Sequence, residues 1–600
     1  MSIKFNATFT AGCACLVVFS LLGFATSGTD SVDRSVAAAA NETASSVIVQ
    51  GPSVEAVKRL VLAADGTVTH ELGIIDSVGA SLTDEQIRLL QGLPQLRVHP
   101  NWQAKVAKKG GKKGGGNNTL TDPDSVYPTM VGADLLHAQG TTGTGVTLAV
   151  IDSGMSNHAW VTHADSMQWR LLARYNAIAD RMDRLGDEDP VIYGVYGGND
   201  SNGHGTHVSS IAFSTNTTEF DPNTGEYSGL YHGIAPGSEV VSVKAFDRDG
   251  LGTYADVIRG LEWVVTNRDF YDIRVLNLSF SADPRSYYWD DPLNQAVMAA
   301  WQAGIVVVAS AGNNGPDPMS IGVPGNVPYI ITVGAMTDHY THPNENHSDD
   351  LLASFSSAGP THEGFVKPEI VAPGGHMLGI VPYSAKLAAD YPEFYVPEHE
   401  FFTMSGTSQA AAVVSGVAAL LLQEEPWLTP DDVKCRLMAS ARPAVNDDGT
   451  LAYSVFQQGA GMVHAYDAIS GSETGCANQG LNIDLDVIGV EHYGGRANQH
   501  PDGTFYLREL DGDGFFWSDG FLWSDGFLWS DGFLWSDGFL WSDGFLWSDG
   551  YYWYGGELGT DGFLWSDAFF WSDGFLWSDG FLWSDALTEP ASINVWVEQE

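Results

Sequence analysis

Cysteine is scarce in this chain, four residues in 600, so no disulfide framework holds the fold together. Basic residues are scarce as well. There are 28 Lys and Arg against 74 Asp and Glu, a formal net charge of −46. That balance excludes ordinary nucleic-acid binding, which relies on cations neutralising phosphates, and it disfavours docking on anionic lipid. Beyond the first thirty residues no stretch reaches 18 consecutive apolar positions, the length a membrane-spanning helix needs. What the chain does have is 44% hydrophobic residues. This is enough for a large interior and too much for a disordered acidic chain. Its length is the usual size of three or four units.

Residues 1–25 carry one charge, Lys4, followed by an apolar run from Ala11 to Phe24. Gly23 and Ala25 supply small side chains at the −3 and −1 positions of a cleavage site. The stretch therefore reads as a secretory signal peptide, with an uncleaved anchor as the alternative. Secretion is expected, with no transmembrane anchor after signal removal. Cys13 and Cys15 leave with the signal. Cys435 and Cys476 then remain as an even pair in an oxidising compartment, and a disulfide between them requires that their Cα atoms come close.

Residues 47–106 have the pattern of a small α/β module. Val47–Val49 reads as a strand, Ser53–Leu62 as a helix, and Ser81–Leu93 as a second helix opened by Thr83, with Leu96–Val98 as a closing strand. A basic Gly/Lys linker follows at 107–122, open to proteolysis. From 123 to 470 apolar strands alternate with helices. Gly145–Ile151, Val240–Phe246, Arg274–Phe280, Ile305–Ser310 and Tyr329–Val333 are continuous apolar runs, as in strands buried on both faces. Tyr254–Thr266, Pro292–Ala303 and Ser408–Gln423 have helical periodicity. The expected fold class is α/β, a doubly wound, mostly parallel sheet with helices on both faces. Functional groups then collect at the carboxyl ends of the strands. Residues 160–200 read as a long insertion rich in Arg and Asp, and 471–513 as a linker.

Three motifs in the 123–470 region carry chemistry. Val150–Gly154 ends a buried strand on Asp152. Asn202–Val208 sets His204 in a Gly-rich turn that opens a helix. Thr403–Ala410 puts Ser408 at the start of a long apolar helix. An alcohol nucleophile needs a neutral imidazole to take its proton, and the imidazole needs a carboxylate to fix its tautomer. Taken singly, each residue is more often a cap or a turn; together, in the order Asp, His, Ser, they form a triad pattern. His204 and His207 are also spaced like a metal pair, but no Cys- or carboxylate-rich partner motif accompanies them, and no metal site is expected.

With Ala309–Gly315, which contains Asn313, these motifs resemble those of the subtilisin-like serine proteases, the subtilases. The resemblance implies Asp152 as orienting acid, His204 as general base and acid, and Ser408 as nucleophile. It also implies an oxyanion hole of the Asn313 side chain and the Ser408 backbone N–H. Where the family often has Ser-x-Gly-Gly, this chain has Ser279-Phe280-Ser281-Ala282, and Ser279, Phe280 and Ser281 are expected to line a substrate groove of altered shape. No cofactor is implied. Calcium stays open as a structural ion, since no complete ligand loop is found. The implied partners are protein or peptide substrates and the chain's own 47–106 module, which resembles the family's inhibitory propeptide, cut within 107–122; a permanently attached domain is the alternative.

Residues 514–585 are twelve hexads built on Gly-Phe-Leu-Trp-Ser-Asp, followed by a tail at 586–600. The unit Gly556–Asp561 lacks Trp yet keeps six residues, so the period itself matters. Asp-Gly turns between four-residue strands predict a β-rich meander or solenoid. Trp rows suit a polymer or cell-surface partner, against a self-packed spacer or a recently expanded repeat. A surface-binding repeat protein with a catalytically silent protease scaffold is the alternative reading of the whole chain.

Overall fold

The computed structural model describes residues 44–106, 127–156, 159–161, 169–183, 198–221, 226–337, 350–397, 400–446, 448–500 and 503–507. The signal at 1–25, the linker at 107–122, the repeats at 514–585 and the tail at 586–600 lie outside them.

A nine-stranded sheet forms the centre, in the order Leu351–Leu352, Ile331–Thr337, Val306–Ser310, Ile273–Leu278, Thr147–Asp152, Glu239–Lys244, Leu171–Asn176 and Arg181–Met182, with Ile370–Pro373 also pairing Ile331–Thr337. Every pairing is parallel except those of the two-residue strands. Thr147–Asp152 is buried at every position, as continuous apolar runs require in such a sheet. Leu171–Asn176 corrects the reading of 160–200 as an insertion. Its LLARYN pattern hid a strand of the main sheet, next to the edge strand Arg181–Met182, because Arg174 is buried inside it.

Two helix pairs pack against the sheet. Tyr254–Tyr271 lies beside Pro292–Gln302, and His204–Phe213 beside Thr407–Glu424. The last of these is buried from Thr407 to Leu422, the signature of a helix apolar all round and enclosed by protein.

The 44–106 segment forms an antiparallel sheet in the order Thr67–Leu72, Ser77–Leu82, Ser45–Gln50, Arg97–Pro100. Two helices cover it, Val54–Ala63 capped by Ser53 and Asp84–Gln91 capped by Thr83. They close a small core of its own that includes Val49, Val57, Val61 and Leu82. The module sits on the N-terminal end of helix Tyr254–Tyr271. There Trp102 O accepts from Tyr254 N (2.8 Å) and Asn101 Oδ1 from Ala255 N (2.9 Å), satisfying two helix donors that have no partner within the helix. Further contacts are Glu262 Oε2 with Gly73 N (3.0 Å) and Arg97 with Asp290 (2.9 Å).

The expectation of a linker over 471–513 is overturned for its described part. Tyr493, Ala497 and Leu507 belong to the main hydrophobic core. Gly495 N and Ala497 N donate to the carbonyls of Glu363 and Gly364. Buried Asp486 accepts from Tyr288 Oη (2.6 Å), Tyr329 Oη (2.9 Å) and His492 Nδ1 (2.7 Å). The sequence misled because these contacts come from isolated residues with no periodic pattern. Cys435 and Cys476 form a disulfide at a Cα separation of 5.1 Å, inside the normal range. It closes a span of 41 residues, and a loop of that order is worth about 2–5 kcal/mol. The double variant Cys435→Ser/Cys476→Ser, made in a Ser408→Ala background to prevent self-digestion, should lose that amount in urea unfolding.

Candidate active site

Asp152 terminates its strand, and the next residues turn sharply because helix His204–Phe213 arrives there end-on. The Gly-His-Gly spacing makes this approach feasible. A Cβ on Gly205 would stand 2.1 Å from the Gly154 carbonyl oxygen, so no side chain fits at that position. Gly203 has φ +106, and a Cβ there would meet Val381 at 2.8 Å. The result is a buried pair in which His204 Nδ1 lies 2.9 Å from Asp152 Oδ1 and 3.0 Å from Oδ2. With Nδ1 donating to the carboxylate, Nε2 is the unprotonated acceptor. Both side chains are at most 1% exposed, which removes competing water.

Asp200 anchors this turn and was missed in the sequence. Its Oδ1 accepts from Ser153 Oγ (2.9 Å), Asn202 N (3.2 Å) and Gly203 N (2.8 Å), and its Oδ2 from Thr206 N (2.8 Å) and Thr206 Oγ1 (2.6 Å). An Asp four residues ahead of a helix start is the available signal, since such side chains bond forward to backbone N–H groups.

Ser408 lies in the first turn of Thr407–Glu424, where backbone N–H groups have no acceptor within the helix. Its Oγ donates to Ser279 O at 3.1 Å, and no hydrogen bond joins it to His204 Nε2, which has no partner. The two helix starts are nevertheless tied together next door, where Gln409 Nε2 meets His207 Nδ1 at 3.3 Å. Asn313 is held by its oxygen, Oδ1 accepting from Thr407 N (3.0 Å) and Thr407 Oγ1 (2.9 Å). This leaves its buried Nδ2 as an unsatisfied donor. Thr407 is thus a second positioning residue that the sequence reading passed over.

Of the three residues expected to line substrate, Ser279 is fully buried beside the nucleophile. Its hydroxyl donates to Ser408 O (2.8 Å) and accepts from Asn277 Nδ2 (2.8 Å). Phe280 and Ser281 do bind extended chain, namely Gln103–Val106 of this same polypeptide. Phe280 pairs with Val106 and Ser281 with Lys105, antiparallel. On its other edge the segment pairs with Leu251–Thr253, and Val106 N donates to Gly250 O at 3.3 Å. Among the described residues no group of three or more His, Cys, Asp or Glu is placed to hold a metal ion.

His207 is bonded within the protein interior. Its Nε2 donates to Phe402 O at 2.9 Å, and burial drives its pKa down to about 3. An unfolded histidine takes a proton near 6.5. The folded form therefore binds fewer protons below that pH, and stability is lost as pH falls from about 6.5 toward 3. A His207→Asn variant should be less stable at pH 7 yet decline less steeply with acid. The difference in slope between pH 6 and 4 is up to about 1.4 kcal/mol per pH unit, read by urea unfolding in the Ser408→Ala background.

Residues 143–461 match the pattern of the subtilase family, peptidase S8. The chain is 36% identical over 340 residues to serine protease AprX of Bacillus subtilis, covering 56% of this chain and 68% of that protein. It is 30% identical over 315 residues to subtilisin DY of Bacillus licheniformis, covering 52% and 89%. Fervidolysin from Fervidobacterium pennivorans, described as a keratinolytic enzyme related to subtilisin, superimposes with a TM-score of 0.52 at 24% identity. That match covers 72% of this chain and 61% of fervidolysin, and it bears on the fold alone. The chain belongs to the subtilase family of serine proteases.

Proposed function

We propose that this protein is a secreted serine endopeptidase, made as a precursor whose 47–106 module occupies the cleft until it is cut away. The carrying observation is the joint placement of a carboxylate-bound imidazole, a hydroxyl at a helix start and an unsatisfied amide donor around the end of the chain's own Gln103–Val106 strand.

In this reading the Ser408 hydroxyl leaves Ser279 O and donates to His204 Nε2, which has no other partner. As Oγ attacks the substrate carbonyl, its proton passes to Nε2, and Asp152 stabilises the imidazolium. The oxyanion accepts from Asn313 Nδ2 and Ser408 N, the latter favoured by the helix N-terminus. His204 returns the proton to the leaving amine, whose departure leaves an acyl ester on Ser408. Water, deprotonated by His204, then attacks the ester, and Ser408 leaves with that proton. Nothing in these steps calls for a cofactor. Replacing Asn313 by Ala should reduce kcat on the order of 10²–10³-fold, the scale known for the oxyanion asparagine of a subtilisin itself. Steady-state hydrolysis of a peptide anilide measures this.

The register supports a specific cut. Val106, the last residue of its strand, lies opposite Phe280, which directly follows Ser279, whose carbonyl holds Ser408 Oγ. The next residue in the sequence is Ala107, outside the described residues, and the proposed processing follows it. Export is supported by the disulfide, which persists in oxidising compartments. In a protease-free host the wild-type chain should yield a mature form beginning at Lys108, while Ser408→Ala stays uncut. N-terminal sequencing and intact mass decide the matter, and normal maturation of the variant would refute self-processing.

A further inference from the structure

We infer that the Ser281 hydroxyl shortens the slot for the side chain of the residue acylated by Ser408, so that the enzyme selects small residues there. The inference rests on the protease reading above and specifies its substrate class.

Three backbone runs build this slot, Phe280–Ala282, Ser310–Gly312 and Gly322–Val323. They are locked together by Ser310 Oγ on Phe280 O (3.0 Å), Ala282 N on Val323 O (2.9 Å) and Gly322 N on Ala311 O (3.0 Å). Gly312 directly precedes Asn313, so its wall stands beside the carbonyl that Asn313 Nδ2 would polarise. Phe280–Ser281 carries the substrate-like strand on its edge. A side chain leaving that strand at the reacting carbonyl therefore enters between these walls.

Two of the walls are glycine, which ordinarily leaves a slot wide. Here Ser281 refills it. A Cβ added to Gly322 would lie 1.9 Å from Ser281 Oγ, and one added to Gly312 would lie 3.2 Å from the same atom. The hydroxyl thus stands in the space the two glycines vacate. A benzyl group entering there would overlap it, whereas a methyl group fills the space that remains. The chain's own sequence agrees independently. The residue that follows Val106 in the sequence is Ala107, a small one.

The test uses mature enzyme prepared from the full chain and two substrates, Ala-Lys-Val-Ala and Ala-Lys-Val-Phe p-nitroanilide. Wild type should favour Ala over Phe at least tenfold in kcat/KM, within the 10–200-fold that one or a few methylenes command in an apolar pocket. Ser281→Gly should raise the Phe/Ala ratio at least tenfold, and Ser281→Ala, which keeps Cβ and loses only the hydroxyl, should fall between. The wild-type ratio and the Ala variant decide the matter even where the Gly variant does not accumulate. Equal use of both substrates by wild type, or an unchanged ratio in the variants, overturns the assignment. Failure to hydrolyse either substrate, combined with no labelling of Ser408 by a fluorophosphonate, would defeat the protease reading itself and the slot assignment with it.

Discussion

The approach of helix His204–Phe213 to the end of strand Thr147–Asp152 is the constraint on which the site depends. A helix normally stands about 10 Å from a strand because side chains separate them. At this junction Gly205 against Gly154 removes that padding on one side, so the carboxylate of the strand and the imidazole of the helix meet within hydrogen-bond distance. Asp200 then satisfies the backbone donors exposed by the turn. The second helix start, at Thr407, is tied to the first through Gln409 and His207, and to Asn313 through Thr407. The geometry of the site is a by-product of two helix starts and three strand ends fixed to one another.

Burial makes that arrangement stiff, and it also places charge inside. Glu369 Oε1 accepts from Lys367 (2.6 Å) and Lys434 (2.8 Å), and its Oε2 from Thr332 N (2.8 Å). Burial lowers the Lys367 pKa to about 7, against the pull of Glu369. Two cations on one carboxylate, each with further carbonyl partners, tie the strand Ile370–Pro373 to the helix Pro430–Ala439. Removing one member of such a buried group leaves the rest uncompensated, which typically costs about 3–5 kcal/mol.

Much of this was legible in the sequence, for physical reasons that differ by region. Strands such as Val306–Ser310 announce themselves because both of their faces are buried, and the helix Thr407–Glu424 because it is apolar over 18 residues. Asp152, His204, Ser408 and Asn313 were readable because glycines and small residues mark the tight turns that hold them. Leu171–Asn176 was not, since its buried Arg174 breaks the apolar pattern. Nor were Asp200 and Thr407, whose importance lies in hydrogen bonds to backbone groups that a sequence does not display. The bond from the Ser279 hydroxyl to Ser408 O was likewise not legible, since its acceptor lies 129 residues away along the chain.

Asp486 carries a consequence for where the catalytic body stops. Two tyrosine hydroxyls, deep among apolar neighbours, have that single carboxylate as their common acceptor. Cutting the polypeptide at 470 would strand both hydroxyls in a dry interior, expose the apolar surface beneath Tyr493 and Leu507, and delete one half of the cystine. The border of the folding unit therefore runs at least to residue 507, and shorter fragments would report on a damaged enzyme rather than on the tryptophan hexads.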